Sequence, residues 1–182
     1  LRYLKQFDSQ NDIEKLNNPI IHIHSEKIPK AEIDISFSLI LNLVSACQSD
    51  DKNIIWNYIR EYMPDIKPPN NPYTDKLVEF SIQYYKDFVE PNKKYKKPTD
   101  AEKNILQELV ELLKKFKPQI TSEEIQSEIY ELGKKHKYEL KNWFLFLYEI
   151  LLGQKSGPRL GTFILLLSIK KTIKLIENSF SK

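Results

Sequence analysis

The spacing of apolar residues along the chain predicts a protein built from helices. Residues 36–48 are densely apolar and predict a buried helix. Residues 54–62 repeat apolar side chains at helical spacing until Pro64 ends the run. The one strand-like run is residues 20–24, so we expect a short irregular N-terminal segment before the helices begin.

The middle of the chain is divided by a strong break. Residues 67–72 read KPPNNP, which no helix interior tolerates. The helical pattern that follows, residues 74–89, places Tyr84, Tyr85 and Phe88 on one side. We therefore expect one more helix before the loop at residues 90–98.

Two capping boxes mark helix starts in the second half. Thr99 with Glu102, and Thr121 with Glu124, follow the T-x-x-E pattern in which side chain and backbone cap each other. An apolar stripe follows each box. The capping boxes thus predict two consecutive amphipathic helices.

The last part of the chain predicts further apolar helices separated by a turn. Residues 140–152 end at Gly153, a residue that tolerates left-handed backbone after a helix. Pro158 suits the first turn of the next helix, and residues 172–180 close the chain. We predict an all-α fold, a multi-helix bundle.

Composition narrows the class of protein. The 182 residues are 41% hydrophobic, which argues against disorder, and no run of eighteen apolar residues predicts a membrane span. The single cysteine, Cys47, excludes an internal disulfide and fits a cytoplasmic setting. The chain starts at Leu1 and its one methionine is Met63, so we expect a piece of a longer protein.

Charge is distributed unevenly between the two halves. Residues 1–90 carry 10 basic and 14 acidic side chains, whereas residues 91–182 carry 18 and 11. The positive field therefore belongs to the second half. An anionic partner is expected there.

Residues 153–161 read GQKSGPRLG and contain three of the four glycines of the chain. We call this segment the glycine window. A helix start beside Lys155 and Arg159 would make a corner that binds an anion or a base edge. The alternative is a tight helical hairpin whose glycines serve packing only.

Clusters of lysine with an aromatic residue or histidine offer further candidate contacts with nucleic acid. Residues 93–97 read KKYKK around Tyr95, which we expect to be exposed, and Lys134, Lys135 and Lys137 surround His136. Phosphates need cations and unstacked bases need flat partners. A helix C-terminus that attracts cations explains the second cluster equally well.

The sequence offers no catalytic centre. His22, His24 and Cys47 would lack a clear fourth zinc ligand, so no metal site is predicted. Cys47 lies in an apolar stretch, as an inert core thiol does. No phosphate loop, nucleophile elbow or metalloprotease pattern occurs.

Four segments in order resemble the C-terminal half of class I lysyl-tRNA synthetases. They are NPIIHIH at 18–24, ISFSLILNLVSA at 35–46, EEIQSEIYELGKKH at 123–136 and LYEILLGQKSGPRLGTFI at 147–164. The resemblance covers essentially the whole chain, and the glycine window is its most specific element. Ser25–Glu26 departs from the family pattern, which often has glycine there.

The resemblance implies a helical cage that binds the anticodon arm of lysine tRNA, whose anticodon is uridine-rich. In the family, an N-terminal Rossmann domain with HIGH-like and KMSKS-like signatures uses ATP and magnesium. Neither signature occurs in this sequence, so no cofactor and no aminoacylation activity are expected of this segment. The expected partners are the tRNA and the chain's own Rossmann domain, with no membrane.

The same resemblance suggests how the chain is divided. Residues 1–30 would connect to the catalytic core, residues 31–90 would form a first helical lobe, and residues 91–182 would form the anticodon-binding lobe. The expected tRNA contacts begin with Arg159, whose guanidinium can pair bidentately with a base edge or a phosphate. The other expected contacts are Lys155, Ser156, Gly157, Tyr138, Phe163, Lys134, Lys135 and Lys137.

A second hypothesis belongs to another class of protein. In it the chain is a helical protein-interaction module whose tyrosine- and lysine-rich faces bind a protein partner without specific RNA recognition. Under this hypothesis Arg159→Ala would leave tRNA binding unchanged.

Overall fold

The computed structural model describes residues 6–7, 9–24, 35–65 and 71–181. All regular structure in these ranges is helical, with ten α-helices and no strand. The prediction of an all-α fold is confirmed. The chain divides into two compact units, Leu1–Ile35 and Ser36–Lys182.

The helices are numbered in chain order. They are α1 (Asp12–Leu16), α2 (Pro19–His24), α3 (Phe37–Cys47), α4 (Lys52–Tyr62), α5 (Pro72–Tyr84), α6 (Asp100–Lys114), α7 (Ser122–Lys135), α8 (Leu140–Leu151), α9 (Leu160–Leu167) and α10 (Ile169–Ser179). A π-helical turn, Tyr85–Val89, and a 3₁₀ turn, Glu90–Asn92, extend α5.

The N-terminal unit corrects the expectation of a strand-like run in an irregular segment. Residues 20–24 belong to α2, and α1 precedes them with a capping box between Asn11 and Glu14. The Asn18 side chain accepts a hydrogen bond from the Ile20 N–H at 3.1 Å, and Pro19 opens the helix. This start signal outweighs the strand preference of the isoleucines that follow.

The two helix starts predicted from capping boxes are confirmed. Both capping boxes form, at Thr99 with Glu102 and at Thr121 with Glu124. Asp51 caps α4, whereas the neighbouring Asp50 pairs with Lys86 at 2.9 Å. Capping therefore sets most helix starts locally.

The α9 helix is the most apolar element of the larger unit. Six of its eight residues are buried, including Phe163 and Leu167, which have no exposed surface. An α-helix that is apolar on all sides belongs inside a core. It contacts α3, α4, α7 and α10, so it packs on helices from both predicted lobes. The functional division at residues 90 and 91 stays a prediction.

A second contact fixes α8 against α7. The Trp143 indole N–H donates to the Ile129 carbonyl at 2.9 Å in a buried position. Gly133 makes room for the ring, since a Cβ there would lie 2.5 Å from the Trp143 Cδ1 atom. The pair therefore specifies the crossing of the two helices.

Within the described ranges, no helix combines the length and the apolar character that crossing a membrane requires.

The junction between α9 and α10 is strained. Ser168 has φ 73° and ψ 145°, a conformation that L-residues other than glycine rarely adopt. Its hydroxyl accepts a hydrogen bond from the Lys171 N–H at 3.3 Å. Replacing a serine cap by glycine costs only a few tenths of a kcal/mol. In a Ser168→Gly substitution, the relief of backbone strain is therefore a larger effect than the loss of the serine cap.

We expect Ser168→Gly to raise the free energy of unfolding by about 1 kcal/mol, because about 1–3 kcal/mol of strain outweighs the lost cap and the added chain entropy. Urea unfolding followed by circular dichroism measures the change. Ser127→Gly, on the exposed face of α7, is the control and should lower stability by about 0.5 kcal/mol. A destabilised Ser168→Gly protein would contradict the assignment of strain.

Candidate nucleic-acid interface

The first part of the glycine window ends α8 as predicted. Gly153 has φ +67°, which confirms its left-handed conformation after the helix. Its carbonyl accepts a hydrogen bond from the Lys94 N–H at 2.8 Å, and the Tyr95 ring packs against its Cα. The loop at residues 93–98 is thereby held alongside the window.

The second part of the window corrects the predicted helix start. Arg159 is the N-cap of α9 and Leu160 its first residue, so Pro158 lies before the helix. The Tyr148 hydroxyl donates to the Pro158 carbonyl at 2.6 Å. The ring of Tyr148 covers Gly157, where a Cβ would lie 2.6 Å from it. The aromatic ring holds these residues in a turn.

Gly161 brings α9 into backbone contact with α7. A Cβ at this position would collide with the Ser122 carbonyl oxygen. The Gly161 N–H donates to the Gln126 Oε1 atom at 2.9 Å. A helix N-terminus normally exposes such donors, and here the chain itself supplies the acceptor. Gly161 therefore has a packing role.

Arg159 stands at the same corner with its own partner. Its guanidinium lies 3.3 Å from the Glu123 carboxylate, and both side chains are largely exposed. Hydrogen bonds from Ser122 and from the Glu123 backbone lower the pKa of Glu123, and the nearby charge of Arg159 lowers it further. Exposed ion pairs stabilise proteins by about 0–1 kcal/mol. The guanidinium can therefore exchange this partner for a nucleic-acid group at little cost.

A groove opens beside the window. It has a volume of about 430 Å³, and its lining includes Phe88, Lys94, Glu149, Lys155 and Ser156. We call it the window groove. Neither lysine forms an ion pair with a described residue, and Phe88 is 59% exposed. Two free ammonium groups and an exposed ring therefore share one concave surface.

Sequence reasoning did not identify Phe88 as a candidate contact. The spacing of residues 74–89 predicts Tyr84, Tyr85 and Phe88 on one side, but Tyr85 is buried while the other two are exposed. The π-helical turn places an extra residue in the turn, so the regular 3.6-residue register no longer holds. A pattern that assumes a regular helix therefore misplaces these rings.

The loop at residues 93–98 is partly buried, contrary to the expectation of an exposed Tyr95. The Tyr95 hydroxyl accepts a hydrogen bond from the Gln48 amide at 2.8 Å, and burial raises the pKa of this phenol. The Lys93 ammonium donates to the Ser45 carbonyl at 2.7 Å. Lys96 pairs with Glu102 at 2.6 Å. Only Lys94 and Lys97 of this cluster are exposed.

The lysines around His136 lie at the far end of α7. About twelve residues separate them from Glu123 along the helix, which corresponds to about 18 Å. Lys134 pairs with Glu131 at 3.0 Å, and Lys135 pairs with Glu108 at 2.6 Å. Lys137 is exposed in a left-handed turn. The structure thus separates this cluster from Arg159 and Lys155.

Tyr138 and Phe163, the two aromatic residues among the expected tRNA contacts, lie in different surroundings. Phe163 has no exposed surface, so its ring belongs to the core and no base reaches it in this structure. Tyr138 is half-buried, with ring centroids 5.3 Å from Trp143 and 6.2 Å from Phe146. Desolvation raises its pKa. Tyr138 joins an aromatic cluster next to the lysines of the α7 C-terminus.

Cys47 and His22 are the remaining candidate groups. Burial raises the pKa of the Cys47 thiol to about 11, so it stays protonated near neutral pH. The His22 Nε2 atom lies 3.1 Å from the Leu16 carbonyl. Among the described residues, no three His, Cys, Asp or Glu side chains gather into a group that would hold a metal ion.

Comparison with known proteins places this chain in a family. Residues 58–179 match the family model described as an anticodon binding domain. The chain therefore belongs to the anticodon-binding domain family. No solved structure matches the chain.

Three similar relatives from Rickettsia are called lysine–tRNA ligase. The chain is 49% identical to the one from Rickettsia bellii (strain OSU 85-389) and 46% identical to the one from Rickettsia felis, each over 162 residues and 88% of this chain. It is 44% identical over 165 residues to the one from Rickettsia rickettsii (strain Sheila Smith), which covers 90% of this chain. The chain spans 31–32% of the length of these relatives and matches their C-terminal region.

We expect Gly161→Ala to lower the free energy of unfolding by about 1–3 kcal/mol, because the added methyl forces α9 away from the α7 backbone. Thermal unfolding measures the loss, and Thr162→Ala on the next position is the control, expected within about 0.5 kcal/mol. Unchanged stability with weakened RNA binding would instead indicate that Gly161 is kept for an RNA base.

Proposed function

We propose that this chain is the anticodon-binding portion of a lysine–tRNA ligase and that it binds the anticodon arm of lysine tRNA. The match to the anticodon-binding family carries the proposal, and the lysine–tRNA ligase relatives support the choice of tRNA. The parent enzyme would join lysine to the tRNA with ATP and magnesium through its catalytic domain. A cytoplasmic setting belongs to the same proposal.

The window groove is the surface best suited to single-stranded RNA. Lys94 and Lys155 supply cations for phosphates, and the exposed Phe88 ring supplies a flat surface for an unstacked base. Ser156 and Gly157 are exposed residues beside them, and in the proposal their backbone groups bond to base edges. Glu149 on the same wall would repel misplaced phosphates.

Arg159 completes this surface in the proposal. Once released from Glu123, its guanidinium can form two parallel hydrogen bonds with a base edge or a phosphate. Lys134, Lys135, Lys137 and Tyr138 would then contact a different part of the arm. Their distance along α7 excludes them from the same nucleotide.

The division of the chain follows from the same proposal. Residues 1–30 would connect to the catalytic domain, residues 31–90 would form a supporting lobe, and residues 91–182 would hold most RNA contacts. The alternative, a protein-interaction module, is not favoured, because the family match covers residues 58–179.

The proposal predicts that the chain discriminates anticodons. Lysine tRNA should bind about tenfold or more tightly than a transcript whose anticodon uridines are replaced, a difference of about 1.4 kcal/mol. Filter binding at fixed salt measures both affinities. Equal affinities would reject anticodon recognition and leave only nonspecific charge attraction.

The window groove is tested by a matched pair of phenylalanine variants. Phe88→Ala should weaken binding of lysine tRNA by about 1–3 kcal/mol, the usual effect of losing a base-stacking ring. Phe80→Ala removes an equally exposed ring on α5 that does not line the groove, and it should leave binding unchanged. Equal effects of the two variants would place the RNA elsewhere.

A further inference from the structure

A second groove lies at the opposite end of α9 from the glycine window. It runs between α4 and the first two turns of α10 and has a volume of about 490 Å³. Ile54, Asn57, Tyr58 and Glu61 line one wall. Lys170, Lys171 and Lys174 line the other, and Ser168 closes the end. We call this the lysine groove.

The three lysines have no counter-ion in the described part of the chain. None of them takes part in a described ion pair, in contrast to Lys52, Lys103 and Lys134. The first turn of α10 carries no acidic residue. Cations close to a helix N-terminus oppose the helix dipole, so their position makes the fold less stable. Helix stability therefore does not account for them.

The groups that face these lysines are mostly neutral. On α4 the wall offers the Asn57 amide, the Tyr58 phenol and the partly exposed Ile54 side chain, with Glu61 as the one carboxylate of the lining. From α3, the Cys47 thiol lies close enough to Lys171 to sense its charge, but it stays protonated. The lysine groove thus keeps a net positive charge.

The spacing of the cations suits a chain of phosphates. Lys170 and Lys174 are four residues apart on α10, which places them on one face with about 5–6 Å between their Cβ atoms. An array of ammonium groups along a groove follows a polyanion without reading its sequence. The wall of α4 opposite this array carries a single carboxylate, Glu61.

The lysine groove is placed to share one RNA with the glycine window. Arg159 precedes α9 and Ser168 follows it, so eight helical residues separate them, which span about 12 Å. A few nucleotides bridge such a distance. Both surfaces belong to the same compact unit.

We propose that the lysine groove binds the phosphodiester backbone of the tRNA outside the bases that the window groove contacts. This inference rests on the proposed function, and it adds a second contact that nothing in the family match assigns. The lysines supply affinity independent of sequence, while discrimination between anticodons stays with the window groove.

The decisive variant replaces Lys170, Lys171 and Lys174 together by glutamine. Its affinity for lysine tRNA should fall at least about tenfold at 0.1 M salt. The slope of log affinity against log salt concentration should become shallower by about 0.7–0.9 for each lost contact, about 2–3 in total. The ratio of affinities for native and uridine-replaced transcripts should stay unchanged.

The control is a second triple variant with the same net charge as the groove variant. Lys76, Lys103 and Lys114 lie on α5 and α6 and do not line the groove, and their joint replacement by glutamine should change affinity by less than about threefold. Equal losses in the two triple variants would overturn the proposal, because net charge alone would explain them. An unchanged salt slope in the groove variant would overturn it as well.

A variant that is expected to tighten tRNA binding tests whether misfolding, and not the lost lysines, explains a loss of affinity. Glu61→Gln removes the carboxylate of the groove, so it should tighten tRNA binding severalfold and leave anticodon discrimination unchanged. Weaker or unchanged binding of this variant counts against the groove. If the wild-type chain fails to discriminate anticodons while both groove variants behave as expected, the proposed function fails and the phosphate contact stands.

Discussion

The contact between α9 and α7 at Gly161 is the constraint on which the rest of the larger unit depends. Only a residue without a Cβ lets the first turn of α9 meet the Ser122 carbonyl. Gln126 then satisfies the Gly161 N–H that the approach would otherwise leave unpaired. With its N-terminus anchored, an eight-residue helix that is apolar on all sides reaches α3, α4 and α10. This packing contact therefore fixes the positions of the glycine window at one end of α9 and of the lysine groove at the other.

The lysines fall into two groups, those paired with carboxylates and those without such a partner among the described residues. Lys52, Lys96 and Lys135 are held by carboxylates on neighbouring elements, and others pair within their own helix. Such pairs lower the pKa of the exposed glutamates involved, as at Glu108, but exposed pairs stabilise little. The lysines of the two grooves have no such partner in the described residues. Part of the excess positive charge of the second half is therefore exposed to solvent in these two grooves.

Local signals predicted a large part of the fold. The capping boxes at Thr99 and Thr121 and the left-handed Gly153 form as expected, because each depends on residues within one or two turns of chain. The same locality explains two errors. The isoleucines of α2 suggested a strand, but the Asn18–Pro19 start signal determined the helix. Pro158 suggested the start of α9, but the hydrogen bond from Tyr148 keeps it in the turn.

The sequence by itself determined that the chain is helical, where most helices begin and end, and that its second half is positively charged. These properties follow from backbone preferences and from composition. Only the tertiary structure decided which side chains reach the surface. It buried Phe163, turned Tyr95 inward, exposed Phe88 through a π-helical turn, and separated Lys134 from Arg159 by the length of α7. Whether an aromatic ring or an ammonium group meets solvent depends on which helix packs over it, and that depends on contacts between residues far apart in the chain.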